Sequence, residues 1–67
     1  MQADVNAEKT FIIKLVRGWL DHIDVNTHKP ISTAKARALR MAPAQALVVA
    51  NNLTERGIYA LVVPAES

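Results

Sequence analysis

The chain has 67 residues, of which 51% are hydrophobic, with eight Lys and Arg against six Asp and Glu and no cysteine. This length permits one domain that buries roughly 60% of its unfolded surface, and the lack of cysteine excludes disulfides and thiolate metal sites, so a partner subunit is the expected source of extra stability. No stretch approaches the roughly 20 apolar residues of a membrane span, and residues 1–9 lack the features of a signal sequence, which together predict a cytoplasmic protein.

The first elements of the chain are predicted to be a tail and a β-hairpin. Residues 1–9 show no hydrophobic periodicity, so the single domain is expected to span 10–67. The run FIIKLV is rich in β-branched residues, as is typical of a strand, and WLDHIDV is predicted to return as the second strand. Gly18 between them supplies the positive φ that a turn needs.

The expected register of this hairpin divides its side chains between two faces. A two-residue turn would place Lys14 opposite Asp21 and Val16 opposite Trp19. Each face would then carry four apolar side chains: Phe11, Ile13, Leu15 and Leu20 on one, and Ile12, Val16, Trp19 and Ile23 on the other.

A second interpretation of the same residues is a single helix over 7–23. Phe11, Leu15 and Ile23 share helical spacing with other apolar residues of this stretch. Gly18 in the middle of that helix would cost about 1 kcal/mol. This interpretation gives the alternative fold, an all-α helical hairpin with a C-terminal extended segment.

The middle of the chain contains a loop, an ambiguous segment and a helix. NTHKPIS is predicted to be a loop because Pro30 disfavours the helical conformation at Lys29. The next segment, TAKARALRM, fits a third short strand or a turn of helix equally well. Pro43 suits the first turn of a helix over 44–56, whose apolar stripe comprises Ala46, Val49, Ala50 and Leu53.

The end of the chain is predicted to be a strand that follows a helix stop. Gly57 suits the position after a helix because it adopts a positive φ without steric cost. IYALVV is apolar on both faces, so we expect this strand inside the sheet rather than at its edge. The predicted fold is therefore a small α+β domain of the type ββ(β)αβ, with one helix packed on an antiparallel sheet of three or four strands.

This order of elements resembles that of small phage and prophage proteins. The shared features are a strand ending near GWL, a turn-rich spacer, a KAR step, a helix with the pattern AxxVAxxL, and a closing strand VVP, over about residues 10–64. The resemblance implies a β-hairpin, one helix and a closing strand, in a protein that binds and alters a host or phage protein. It implies no site residues, because the shared motifs are packing motifs.

Polar residues with catalytic potential are concentrated in the segment DHID and the loop after it. His22, Asp24 and His28 would have to converge to bind a metal, and their spacing matches none of the common metal motifs. No serine or threonine has a base at a recognisable spacing, and the two glycines of the chain form no phosphate loop. We therefore expect no enzyme activity, no metal and no cofactor.

Two kinds of binding surface are predicted instead. A single helix leaves one sheet face uncovered, and this face is expected to bind a protein partner or a second copy in a homodimer through Ile12, Val16, Trp19 and Ile23. The alternative is nucleic-acid binding by the acid-free segment 29–40, through Lys29, Lys35, Arg37 and Arg40. Protein binding is favoured, because the chain has few aromatic residues for stacking and no recognisable groove-reading element.

Overall fold

A computed structural model describes residues 9–65 of the chain. These residues form strands β1 (Phe11–Lys14), β2 (Trp19–Ile23) and β3 (Pro30–Thr33), a 3-10 turn (Lys35–Arg37), helix α1 (Pro43–Glu55) and strand β4 (Leu61–Pro64). The four strands form one antiparallel sheet in the order β3-β2-β1-β4. The predicted α+β fold is confirmed and the all-α alternative is wrong. The tail predicted over residues 1–9 lies, apart from Lys9, outside the described residues.

The hairpin of β1 and β2 has a longer turn than the sequence pattern predicts. Residues 15–18 join the two strands, and Lys14 pairs with Trp19 rather than with Asp21. The prediction of a two-residue turn is therefore wrong. Leu15 is the first residue of this turn, and its side chain is almost fully buried in the core.

A β-bulge interrupts β2. Between Leu20 and His22, two steps along β2 match one step along β3, which makes Asp21 the extra residue. The extra residue shifts the alternation of faces, so that Leu20 and Ile23 both pack on the side of the helix although they are three residues apart. The prediction that Ile23 shares a face with Trp19 is therefore wrong.

The segment after the 3-10 turn closes the sheet between β1 and β2. Phe11 and Met41 exchange two backbone hydrogen bonds, with N···O distances of 2.8 and 2.9 Å, and the N–H of Leu39 donates to the carbonyl oxygen of Leu20 at 2.9 Å. Ala38 and Met41 become buried as a result. The ambiguous segment TAKARALRM thus begins with the last residue of β3 and continues as a short helical turn and a bridging segment. The prediction of a loop over 26–32 is wrong for residues 30–32, which belong to β3.

Helix α1 matches the predicted helix within one residue at each end. At its C-terminus the N–H of Ile58 donates to the carbonyl oxygen of Leu53 at 2.9 Å, and the N–H of Gly57 donates to that of Thr54 at 3.0 Å. This pattern is the Schellman motif. Both glycines have the predicted positive φ, 78° at Gly18 and 82° at Gly57. No helix within residues 9–65 is long and apolar enough to cross a membrane.

The core lies between α1 and one face of the sheet. Helix α1 contributes three side chains to the buried cluster, β1 and β2 contribute one each, and β3 contributes none, which is a small core as expected for this chain length. The buried cluster consists of Ile13, Leu15, Leu20, Met41, Ala46, Ala50 and Leu53, and the half-buried side chains packed against it are Phe11, Ile23, Val49, Ile58, Ala60 and Val62.

The closing strand β4 lies at the edge of the sheet and pairs with β1. The prediction that it lies inside the sheet is wrong. Residues 58–60 are not part of the strand, since they return the chain from the helix and bury Ile58 and Ala60 against the core. Within β4, Val62 packs against the core, whereas Leu61 lies on the opposite face and is half exposed. An edge strand of this sheet therefore carries apolar side chains on both of its faces.

Candidate functional site

The sheet face opposite α1, called the outer face, begins with Trp19. This residue is the first of β2 and pairs with Lys14 on one side and Thr33 on the other. Pairing partners in a sheet point to the same face, so the three side chains lie side by side. The indole is half buried, and it is the only tryptophan of the chain.

Two lysines flank the indole of Trp19. The Nζ of Lys14 lies 5.5 Å from the ring centre and the Nζ of Lys35 lies 5.3 Å from it. Both distances are in the range of cation–π attraction. Lys14 is held in place because its Nζ also donates to the carbonyl oxygen of Leu15 at 2.8 Å. The outer face thus carries a large aromatic ring with two positioned positive charges.

Exposed apolar side chains lie next to Lys14, one of the two lysines that flank this ring. Val16, in the turn after β1, is 73% exposed, and Tyr59 is half exposed. Together with Lys14 and Leu15 they line a shallow cavity of about 330 Å³. Leu61 pairs with Lys14 on the outer face and extends the apolar area towards β4. We define the Trp19 surface as Lys14, Val16, Trp19, Lys35 and Tyr59.

The four residues predicted to form one apolar binding face do not form one. Ile12 is only 2% exposed, and Ile23 packs against the core on the other side of the sheet. Val16 lies in the turn and does not face Trp19 across the hairpin. Val16 and Trp19 are the two members of the predicted set that remain accessible, and their role in binding stays a prediction.

Sequence reasoning missed Tyr59 and Leu61. Both belong to the strand expected inside the sheet, where both faces of the strand would be covered. The alternation of a strand that ends at Pro64 carries no information on its place in the sheet. Tyr59 lies two residues after Gly57, near the start of the apolar run, and its polar hydroxyl was the available signal that this side chain reaches solvent.

The basic segment is exposed but divided. Lys35, Arg37 and Arg40 lie in and after the 3-10 turn, with Lys35 beside Trp19. Lys29 lies before β3, at the end of that strand opposite to Lys35. In the part of the chain from 9 to 65, the one contact within 4 Å between an acidic and a basic side chain joins Asp21 and His22 at 3.5 Å, so it involves none of these four cations.

The polar residues of the β2–β3 turn have a structural role. The Oδ1 atom of Asp24 accepts hydrogen bonds from the N–H groups of Asn26 at 2.7 Å and Thr27 at 3.0 Å. These bonds, from Thr27 first and Asn26 second, hold the pKa of the Asp24 carboxyl below its usual value. The carbonyl oxygen of His28 accepts a hydrogen bond from the guanidinium of Arg56, which joins this turn to the end of α1. No group of three potential metal ligands occurs within the described range.

Comparison with protein families, with curated proteins and with solved structures gave no match. The fold and the surface described above are therefore the basis for any assignment of function.

Proposed function

We propose that this protein is a non-enzymatic binding domain that contacts another protein through the Trp19 surface. The observation that carries the proposal is the position of Trp19, which lies half buried on the outer face between Lys14 and Lys35 instead of in the core. A tryptophan in the core would add apolar contacts that a domain of this size needs. Its place on the outer face is better explained by a contact with a partner.

The chemistry of the surface indicates the kind of partner. Tryptophan is enriched among the residues that dominate binding energies, because a rigid ring buries a large area at little entropic cost. Val16 and Tyr59 supply apolar contacts around Lys14. Lys14 and Lys35 favour carboxylates at the rim of the partner surface. The expected partner surface thus combines an apolar side chain with acidic residues.

The resemblance to small phage and prophage proteins supports a partner in the host or the phage. A domain with a shallow contact surface would act by covering a site on that partner and so changing its activity. Such a regulator would act in the cytoplasm, where its partner would be synthesised.

The test is capture of the partner with matched variants. Trp19→Ala should abolish capture from an extract of the cell that encodes the protein, because it removes the centre of the surface. Val48→Ala is the matched control, since Val48 is an exposed apolar residue on α1, on the other side of the sheet. Equal recovery of the partner by the wild-type protein and Trp19→Ala would refute the proposal, provided that circular dichroism shows both folded.

A second candidate function is nucleic-acid binding, which a specific observation favours. Residues 9–65 contain all eight Lys and Arg but three of the six acids, and Lys35 and Arg37 lie in the turn next to the indole of Trp19. A base could stack on an aromatic ring while nearby cations contact phosphates. Protein binding ranks first, because Lys14 and Lys35 already lie over the indole ring of Trp19 on which a base would have to stack.

Salt dependence separates the two functions. The measurement is fluorescence anisotropy of labelled single-stranded and duplex DNA over a range of salt concentrations. Phosphate-driven binding must weaken steeply with salt, and the slope must decrease in the Lys35→Ala, Arg37→Ala, Arg40→Ala triple variant. Lys29→Ala is the control, because β3 separates Lys29 from the other three residues. Weak binding at physiological salt would exclude the second function.

A further inference from the structure

The outer edge of β4 has no pairing partner within the part of the chain that the structure describes. The N–H of Ala65 donates to the carbonyl oxygen of Thr10 at 3.0 Å, and in an antiparallel pair every second residue bonds across the ladder. The backbone N–H and C=O groups of Leu61 and Val63 therefore point towards β1, as those of Ala65 do. The backbone groups of Val62 and Pro64 point away from β1. Since proline has no N–H, Val62 supplies the outward N–H of β4.

An apolar groove runs beside this edge on the side of the helix. It has a volume of about 170 Å³ and is lined by Phe11, Pro43, Leu47 and Val62. Leu47 is 56% exposed although it lies on the flank of α1 that faces β4. Helical spacing places Pro43, Leu47, Asn51 and Thr54 on that flank, and none of these residues is charged.

The charge distribution indicates what binds there. No charged residue occurs in 41–54 or in 57–65, whereas the rest of the described chain carries eight basic side chains against three acidic ones. Two molecules of the same net positive charge approach at the lowest electrostatic cost where neither presents a charge. The uncharged edge of β4 and the uncharged flank of α1 are the surfaces that meet this condition.

We propose that a second copy of this chain docks at the β4 edge and forms a continuous eight-stranded antiparallel sheet. A two-fold axis through Val62 would let the two Val62 residues exchange N–H···O=C hydrogen bonds, because antiparallel strands related by such an axis are self-complementary. This proposal does not depend on Trp19 or Lys35, because β1 separates β2 from β4 and both residues therefore lie away from the proposed interface.

The helices fit this arrangement. Helix α1 contacts both β1 and β4, and neighbouring strands lie about 4.8 Å apart. Two helices placed in this way on a joined sheet would lie about 10 Å apart, which is close to the usual interaxial distance of packed helices. The Leu47 side chains of both copies would lie between the helices and cover the groove. The dimer therefore explains an exposed leucine beside an unpaired strand.

Analytical ultracentrifugation across a dilution series tests the dimer. The wild-type protein should have twice the 7.3 kDa mass of one chain at high concentration. Leu47→Lys should raise the dissociation constant at least about tenfold, because it places two like charges between the helices. Val25→Lys is the matched control, since Val25 is 84% exposed in the distant β2–β3 turn, and it should leave the constant unchanged. A monomer at all concentrations, or a dimer that Leu47→Lys does not weaken, would overturn the proposal.

Hydrogen exchange of single amides provides the second readout. The Val62 amide should exchange slowly in concentrated protein and fast in dilute protein or in Leu47→Lys. The amides of Leu61 and Val63 should be protected in every sample, because they bond to β1. They also report that Leu47→Lys is folded. Fast exchange of Val62 in a concentrated dimer would overturn edge pairing. Trp19→Ala should change neither the dissociation constant nor the exchange rate of the Val62 amide. A failure of the proposed function can therefore be distinguished from a failure of the proposed dimer.

Discussion

Gly18 and Gly57 have nearly the same backbone conformation in different surroundings. Their φ angles are 78° and 82°, in the left-handed region that costs an L-residue about 1–2 kcal/mol. A Cβ atom on Gly18 would lie 3.0 Å from the carbonyl oxygen of Thr33, whereas a Cβ on Gly57 would have no atom within 4 Å. Only the first substitution would therefore also displace a neighbouring strand.

This difference predicts an order of stability. Gly57→Ala should lower the free energy of unfolding by about 1 kcal/mol, through backbone strain alone. Gly18→Ala should lower it further, because Thr33 pairs with Trp19 and has to shift. Urea unfolding of both variants measures the two values. Equal losses, or a larger loss for Gly57→Ala, would contradict the described turn.

Asp24 predicts how stability depends on pH. Its carboxylate accepts two backbone hydrogen bonds, and its pKa in the folded protein lies below the unfolded value. A carboxyl with a lowered pKa stabilises the fold above its unfolded pKa, and this stabilisation is lost as the pH falls through the folded pKa. The fold should thus lose stability in acid as Asp24 becomes protonated.

Asp24→Asn removes this titration. The variant should be less stable than the wild type at pH 7 and should show a smaller decrease in stability between about pH 5 and pH 2.5. Asp21→Asn is the control, because it removes an equal charge from the adjacent strand β2 without touching the turn amides. Thermal melts at a series of pH values measure the difference. Parallel pH profiles for Asp24→Asn and the wild type would exclude this role.

At the scale of elements, local signals predicted α1 well. Its start and end depend on Pro43 and Gly57, whose preferences are properties of single residues. The bulge in β2 depends instead on the contacts of the whole core, which bury Leu20 and Ile23 together. In a regular strand these two residues, three positions apart, would lie on opposite faces, so their spacing alone did not reveal the bulge. The place of β4 at the edge had one local signal, Pro64, because a residue without an N–H is tolerated mainly in edge strands.

The packing of α1 predicts unequal effects for its two leucines. Leu53 is fully buried in the core, and Leu53→Ala should cost about 2–5 kcal/mol because it leaves a cavity. Leu47→Ala should have a much smaller effect on the unfolding of dilute, monomeric protein, because Leu47 is more than half exposed. Urea unfolding at low protein concentration measures both. A large effect of Leu47→Ala under these conditions would contradict the described orientation of the helix.

At the scale of the whole molecule, the fold leaves two distinct surfaces. The sequence pattern placed Trp19 and Val16 on the face that one helix does not cover, and it gave Lys35 as part of the basic segment 29–40. It did not identify Tyr59 or the β4 edge as surfaces, because the last strand was expected inside the sheet. The Trp19 surface carries positive charge and the β4 edge carries none, so the two are suited to different partners.

The proposed dimer predicts a melting temperature that depends on protein concentration. If folding and association are coupled, mass action raises the midpoint as concentration increases. Unfolding enthalpies of about 0.7 kcal/mol per residue give a shift of about 5 °C for each tenfold change in concentration. Calorimetry or circular dichroism measures the shift directly.

Variants separate this effect from aggregation. Val25→Lys should show the same shift as the wild type, because Val25 lies far from β4 in the β2–β3 turn. Leu47→Lys should melt at one temperature at all concentrations, near the value that the wild type approaches on dilution. A wild-type midpoint that stays constant over a hundredfold range of concentration would mean that the small core is sufficient for the single chain. The exposed Leu47 and the unpaired amide of Val62 would then need an occupant other than a second copy.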